Sequence, residues 1–166
     1  MHALARLRMQ GGDSSGSECL PLLRRTGNGT RKSRGCIIEN RTLARWHDLA
    51  RRRDGAGLVD LLADEVVFHS PVVHTPKHGK RITQQVLAAA FQVLSNPSFR
   101  YVREVVGEHD AVLEFMVEID GITVNGVDML KWNDEGRIVE FKVMLRPLKA
   151  VNIIHQKMAE MLAQRL

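Results

Sequence analysis

Asp128 is the residue whose surroundings give it the clearest chemical potential. In the run 122–132, alternate residues read Ile122, Val124, Gly126, Asp128, Leu130, Trp132. The intervening set reads Thr123, Asn125, Val127, Met129, Lys131. Strand side chains alternate between faces, so Asp128 is the lone carboxylate on an otherwise apolar face. Desolvation there disfavours the ionised form and raises the pKa. A carboxyl tuned in this way can take or give a proton near neutral pH. The competing role is structural: a buried acceptor that orders the hairpin.

His69 shares a face with Val67 and Pro71, with Val66, Phe68 and Ser70 opposite. Both faces are mostly apolar, so the ring is buried or half-buried either way. Neutral imidazole suits an acid–base partner for Asp128 or a donor to a ligand carbonyl. A structural histidine bonded to a backbone carbonyl is the alternative. Tyr101 is the chain's single phenol. Regular alternation sets it beside Phe99, Arg103 and Val105. In 111–119, Leu113, Phe115, Val117 and Ile119 form one face, and Glu114, Met116 and Glu118 the other, which hydrophobicity places in water. His69, His74 and His78 have enough imidazoles for zinc, but Pro71 and Pro76 break any regular geometry, so no metal is expected. No phosphate-cradling glycine pattern and no cysteine-based spacing is present, so no cofactor is expected.

The elements that must position these residues read in order. Asn40 caps a helix to about Arg53, with Leu43, Trp46, His47 and Ala50 on one face. The run Arg51-Arg52-Arg53 reads as its solvated C-terminal end. A short helix over 58–63 and a strand over 66–73 follow, then a loop over 74–79. A helix over 80–94 stops at Asn96-Pro97. Four strands come next, over 99–106, 111–119, 122–132 and 137–145. Asp120-Gly121 marks a tight hairpin between the second and third. In the last strand Val139, Phe141, Val143 and Leu145 form the core face. Glu140, Lys142, Met144 and Arg146 form the other, suited to pairing with Glu114 or Glu118 or to a dimer interface. Pro147 opens a final helix. Runs of helices and strands in this order predict α+β, with helices on one face of a curved, mostly antiparallel sheet.

Charge separates the chain into two parts. Residues 1–36 hold seven Lys/Arg and two acids, six glycines, both cysteines and no aromatic residue. They are predicted to form a disordered basic extension. A transit peptide, a basic arm for an acidic partner, or a dispensable extension are the readings for it. Residues 37–166 hold 17 basic and 17 acidic residues, so by charge the domain is no nucleic-acid binder. No run of 18 apolar residues exists, so no membrane-spanning helix is expected. Cys19 and Cys36 read as reduced intracellular thiols, with the cytoplasm as the expected compartment.

Three local patterns carry a family resemblance. They are Asp64-Glu65-Val66-Val67-Phe68-His69-Ser70-Pro71, Gly79-Lys80 with Ile82, and Asp128-Met129-Leu130-Lys131-Trp132 running into Glu135-Gly136-Arg137-Ile138-Val139-Glu140. Over residues 40–163 the chain resembles the SnoaL-like domains of the nuclear transport factor 2-like superfamily. That group also holds ketosteroid isomerase, limonene epoxide hydrolase and polyketide cyclases. The resemblance implies a cystatin-like, cone-shaped sheet wrapped around the N-terminal helices, an apolar pocket and a homodimer. Set beside limonene epoxide hydrolase, Met116, Glu118 and Val143 fall where its catalytic Arg and two Asp stand. One of three keeps a carboxylate, so that activity is not expected. The expectation is a pocket protein for a hydrophobic small molecule. It is either a cofactor-free isomerase or cyclase, or a non-catalytic ligand-binding or dimerisation module. Asp128 and His69 are its candidate catalytic pair, with Phe68, Tyr101, Met116, Glu118, Trp132 and Val143 lining the pocket.

Overall fold

The computed structural model describes residues 40–163. The basic extension read over 1–36 lies outside the described residues. Helix α1 (Arg41–Arg52) starts where the Asn40 side chain accepts from Thr42 N and Leu43 N, at 3.1 and 3.2 Å. The cap satisfies two amides that the first turn leaves free. Leu43, Trp46 and Leu49 are its buried stripe. It ends at Arg53, which takes a left-handed backbone with φ 56°. Helix α2 (Leu58–Leu61) is one turn that buries Leu58 and Leu61 completely.

Strands β1 (Leu62–His69) and β2 (Lys77–His78) precede helix α3 (Lys80–Leu94). Strands β3 (Arg100–Val106), β4 (Asp110–Ile119), β5 (Ile122–Trp132) and β6 (Ile138–Arg146) follow, and helix α4 (Leu148–Ala163) closes the order. One six-stranded sheet runs β2-β1-β6-β5-β4-β3. Only the β1–β6 pair is parallel. The fold is α+β with an open, mostly antiparallel mixed sheet.

The β4–β5 hairpin turns at Asp120 and Gly121, both with positive φ (48° and 74°), the conformation of a type I′ turn. Its pairing puts Phe115 opposite Gly126 and Leu113 opposite Asp128. The inward faces of β4 and β5 thereby meet α3 and α4 in two apolar clusters. One is centred on Trp46, Phe68, Phe91 and Phe141, the other on Phe115, Val117, Val124 and Ile154. Tyr101 and Met158 pack against both.

Several segments differ from the sequence reading. The strand expected over 66–73 runs over Leu62–His69, and the preceding helix, expected over 58–63, ends at Leu61. Leu62 already pairs with Ile138 of β6. At the other end the Ser70 hydroxyl accepts from Val72 N and Val73 N, turning the chain before Pro71 can join the ladder. The expected loop over 74–79 contains β2, pairing with Val67 and Phe68. Strand β3 is bulged. Tyr101 pairs with Phe115 but Arg103 pairs with Glu114, so Val102 is an extra residue. Tyr101 therefore does not share a face with Arg103 and Val105. Val105 pairs with Val112 on the outer face and is 60% exposed.

One buried hydroxyl in α3 is idle. Thr83 Oγ1 is buried and has no hydrogen-bond partner. An unmatched buried hydroxyl costs about 1–3 kcal/mol. Thr83→Val, which keeps the shape, is expected to raise stability by about 1 kcal/mol. A Tm that stays level or falls would show that the hydroxyl finds a partner in solution.

Candidate active site

A cavity of about 790 Å³ lies between the sheet and the helices. Its size falls in the ~300–1,000 Å³ range of small-molecule sites. Helix α1 contributes Trp46, His47 and Ala50, and α3 contributes Val86, Leu87 and Phe91. The sheet contributes Phe68, Tyr101, Asp128, Phe141, Val143 and Leu145, and α4 contributes Ile154 and Met158. The walls are apolar because these are the same faces that form the two clusters. A wide sheet and four helices leave space that the side chains do not fill.

One hydrogen-bonded chain breaks that apolar lining. Trp46 Nε1 donates to Tyr101 Oη at 3.0 Å, and Tyr101 Oη donates to Asp128 Oδ2 at 3.3 Å. Trp46 is held by tilted contacts with Phe91 and Phe141, centroids 5.4 and 4.8 Å apart. Tyr101 stands edge-on to His47 and Phe99, at 5.0 and 5.2 Å. Asp128 is 7% exposed. Burial pushes its carboxyl up to about 7, and the Tyr101 hydrogen bond offsets part of that rise. The same burial, followed by the nearby Asp128 charge, holds the Tyr101 phenol well above its ordinary value. At neutral pH the site thus holds a neutral phenol beside a carboxyl divided between its two protonation states. Such a pair can donate to a developing oxyanion or pass a proton to and from carbon.

The bulge at Val102 has a second effect. Glu104 pairs with Leu113, whose side chain faces the core, so Glu104 stands on the same side of β3 as Tyr101. It meets His47 Nε2 at 3.2 Å and fixes that ring at the cavity wall.

The structure brings Asp128, Tyr101, Phe68 and Val143 together at the cavity and takes the other candidates elsewhere. His69 is separated from Asp128. It alternates with Val66 and Phe68, which fill the core, so its ring lies on the opposite face of the sheet, 4.0 Å from Glu140. That glutamate also pairs with Lys142 at 3.2 Å and Lys131 at 3.6 Å. Glu114 instead meets Arg103, at 3.5 Å, and Asn125, at 3.1 Å. Met116 and Glu118 point outward, because Phe115 and Val117 occupy the inner face of β4. Trp132 is core at the far end of β5, with Nε1 donating to the Glu108 carbonyl at 3.2 Å. Helical periodicity alone places Trp46 and His47 only on one face of α1. The usable signal was chemical: a buried indole N–H needs an acceptor.

Residues 43–141 match the model of the SnoaL-like domain family. No curated protein matches the chain. Among solved structures, a steroid delta-isomerase from Pseudomonas aeruginosa is 36% identical, with a TM-score of 0.71, over 75% of this chain and 90% of that one. An uncharacterised bacterial protein with a cystatin-like fold, from Silicibacter pomeroyi DSS-3, is 30% identical, with a TM-score of 0.68, over 73% and 84%. SalBIII, an epoxide hydrolase/cyclase-like enzyme of pyran ring formation in salinomycin, shares the fold at 14% identity and a TM-score of 0.53, over 63% and 88%. The first two likenesses and the domain match agree on one assignment: this chain belongs to the SnoaL-like family of the nuclear transport factor 2-like superfamily, with its cystatin-like fold.

Proposed function

We propose that this chain is a cofactor-free isomerase or cyclase that moves a proton at carbon in a hydrophobic carbonyl compound. The observation that carries the reading is the Tyr101–Asp128 hydrogen bond inside an apolar cavity. Asp128 is the acid–base group. Tyr101, oriented by Trp46, donates to the substrate oxygen, the role that sequence analysis assigns to His69. Both groups face one space, so one substrate can meet a proton acceptor and an oxygen-binding donor together. The likeness to a steroid delta-isomerase supports a ring-sized ketone as substrate.

The assembly proposed is a homodimer through the outer face of the sheet. Val112 beside Met129, and Val127 beside Met144, form an apolar stripe there, with Met144 52% exposed. The cytoplasm is the compartment proposed, on the reduced thiols expected for Cys19 and Cys36. No helix of the described residues is long and apolar enough to cross a membrane.

The test is a panel of β,γ-unsaturated cyclic ketones, steroid-sized and smaller, with the near-ultraviolet absorbance of the conjugated product followed over time. Turnover by the parent chain, lost in Asp128→Asn, is the expected result. Saturable rises in Tm with no turnover of any ketone would replace the enzyme with the second reading, a ligand-binding module. That reading has its own support: Tyr101 and Asp128 already satisfy each other, so a carbonyl must compete for the phenol.

A further inference from the structure

The mouth of the cavity has a charge balance unlike the rest of the domain. Residues 37–166 carry equal numbers of basic and acidic side chains. The cavity lining holds four fixed cations, Arg51, Arg53, Lys77 and Arg100, against one carboxylate, the buried Asp128. Arg51 and Arg53 are exposed and Lys77 is half-buried, so their charges lie at the opening. Arg100 pairs with the outward-facing Met116, so its side chain leaves toward the outer face of the sheet. Two separate segments supply the charges at the opening: the end of α1 and strand β2. Arg51 is held by Asp48 at 2.6 Å. Among the described residues, Arg53 and Lys77 have no carboxylate within 4.0 Å.

Arg53 adds an independent observation. It caps α1 with φ 56°, a backbone region that favours Gly or Asn. The left-handed backbone disfavours a long side chain there, and the helix dipole offsets that only in part by favouring a cation at the helix C-terminus. Arg53 does place a guanidinium where the cavity opens. Charges of one sign around a low-dielectric opening attract the opposite charge and orient it.

Resting on the pocket proposed above, we infer that the ligand is an amphipathic carboxylate. Its apolar body lies against Phe68, Phe91 and Phe141, and its carboxylate is held at the mouth by Arg53 and Lys77. The substrate class narrows from a hydrophobic ketone to a hydrophobic oxo-acid, entering with the acid group trailing.

The test uses the full chain with two matched probes: lithocholic acid, and the alcohol made by reducing its carboxyl group. Binding is read from tryptophan fluorescence, to which the cavity-lining Trp46 contributes, and from Tm, at low and high salt. The acid is expected to bind about tenfold or more tightly than the alcohol at low salt, as a charge-assisted contact gives. Salt should shrink the gap. The double variant Arg53→Gln, Lys77→Gln should close it while leaving the alcohol's affinity in place. Equal affinities in the parent chain would overturn the inference. So would an acid preference that survives the double variant, which would assign the attraction to other basic residues. Binding of neither probe by the folded chain would overturn the inference and leave the ketone panel to decide the pocket. Turnover of neutral ketones without any preference for the acid would overturn the inference alone.

Discussion

Asp128→Asn is expected to lose proton-transfer turnover by ~10²–10⁴-fold and, above pH 7, to outlast the parent chain in denaturant. Both effects come from the same buried carboxyl. Its folded value is about 7 against an ordinary 3.8, with burial as the cause and the Tyr101 hydrogen bond opposing it. Below about pH 4 the carboxyl is protonated in both states and burial costs little. Between about pH 4 and pH 7 the unfolded chain ionises while the folded one does not, so stability falls as pH rises. Above about pH 7 the folded state carries the charge as well, and the loss levels off. At roughly 1.4 kcal/mol per pKa unit, the whole loss is about 4 kcal/mol. Asn has the same shape and cannot ionise. Unfolding free energies of parent and variant should therefore lie close together at about pH 4 and separate by up to about 4 kcal/mol at pH 8.5. Curves that stay parallel across that range would mean that the carboxyl titrates normally. The turnover profile of the parent runs the other way. A base must be ionised, so kcat/KM should rise through about pH 7 to a plateau.

Gly126→Ala is expected to be the most damaging single-methyl change in the domain. Gly126 faces inward on β5, and the Phe115 ring lies over its bare backbone from β4. A Cβ there would fall on the ring, 2.5 Å from Cε1 and 2.7 Å from Cε2, and closer still to Cζ. The ring cannot swing aside freely. Phe99 stacks on it at 5.4 Å, and Tyr101 meets it edge-on at 6.5 Å. Overpacking of this kind costs roughly 1–3 kcal/mol. It also presses Phe115 toward Tyr101, so loss of ligand binding should accompany the fall in Tm. Phe115→Leu alone costs stability by leaving space. Combined with Gly126→Ala it should recover part of it, with a coupling of about 1 kcal/mol or more by a double-mutant cycle. Additive costs would show that the two residues do not share that space in solution.

Asp128 was legible because a single carboxylate interrupts six residues of regular alternation, and β5 keeps that alternation throughout. The helix over 80–94 was legible for a similar reason: its apolar period and its stop at Asn96-Pro97 agree. The partner of Asp128 was not. Tyr101 was identifiable as the only phenol, but its neighbours on the face depend on the extra residue at Val102, and no residue type announces a bulge there. His69 was misplaced for another reason. Apolar residues on both sides of β1 make its two faces look alike, and the difference lies in which of them meets the helices. The cavity itself left no mark, because an apolar side chain reads the same whether it touches another or lines a space. Trp46 shows where a chemical argument goes further than a pattern. Its indole N–H needs an acceptor, and the one phenol in the chain was available.

The bulge at Val102 also bears on how such a fold can change over generations. Without Val102, Tyr101, Arg103 and Glu104 would follow the strand's ordinary in-out-in order. Loss of that one codon would leave the phenol turned toward the cavity and the glutamate on the same side of the strand. What would go is the bend and extra twist that a bulge gives its strand. In β3 the shape of the chamber and the chemistry it presents are therefore written in different kinds of mutation. Substitutions at 101 alter the reacting phenol, and those at 104 the carboxylate that holds His47. A one-residue deletion between them would reshape the wall and spare those groups, so a lineage could refit the chamber to a new guest while keeping its acid–base pair.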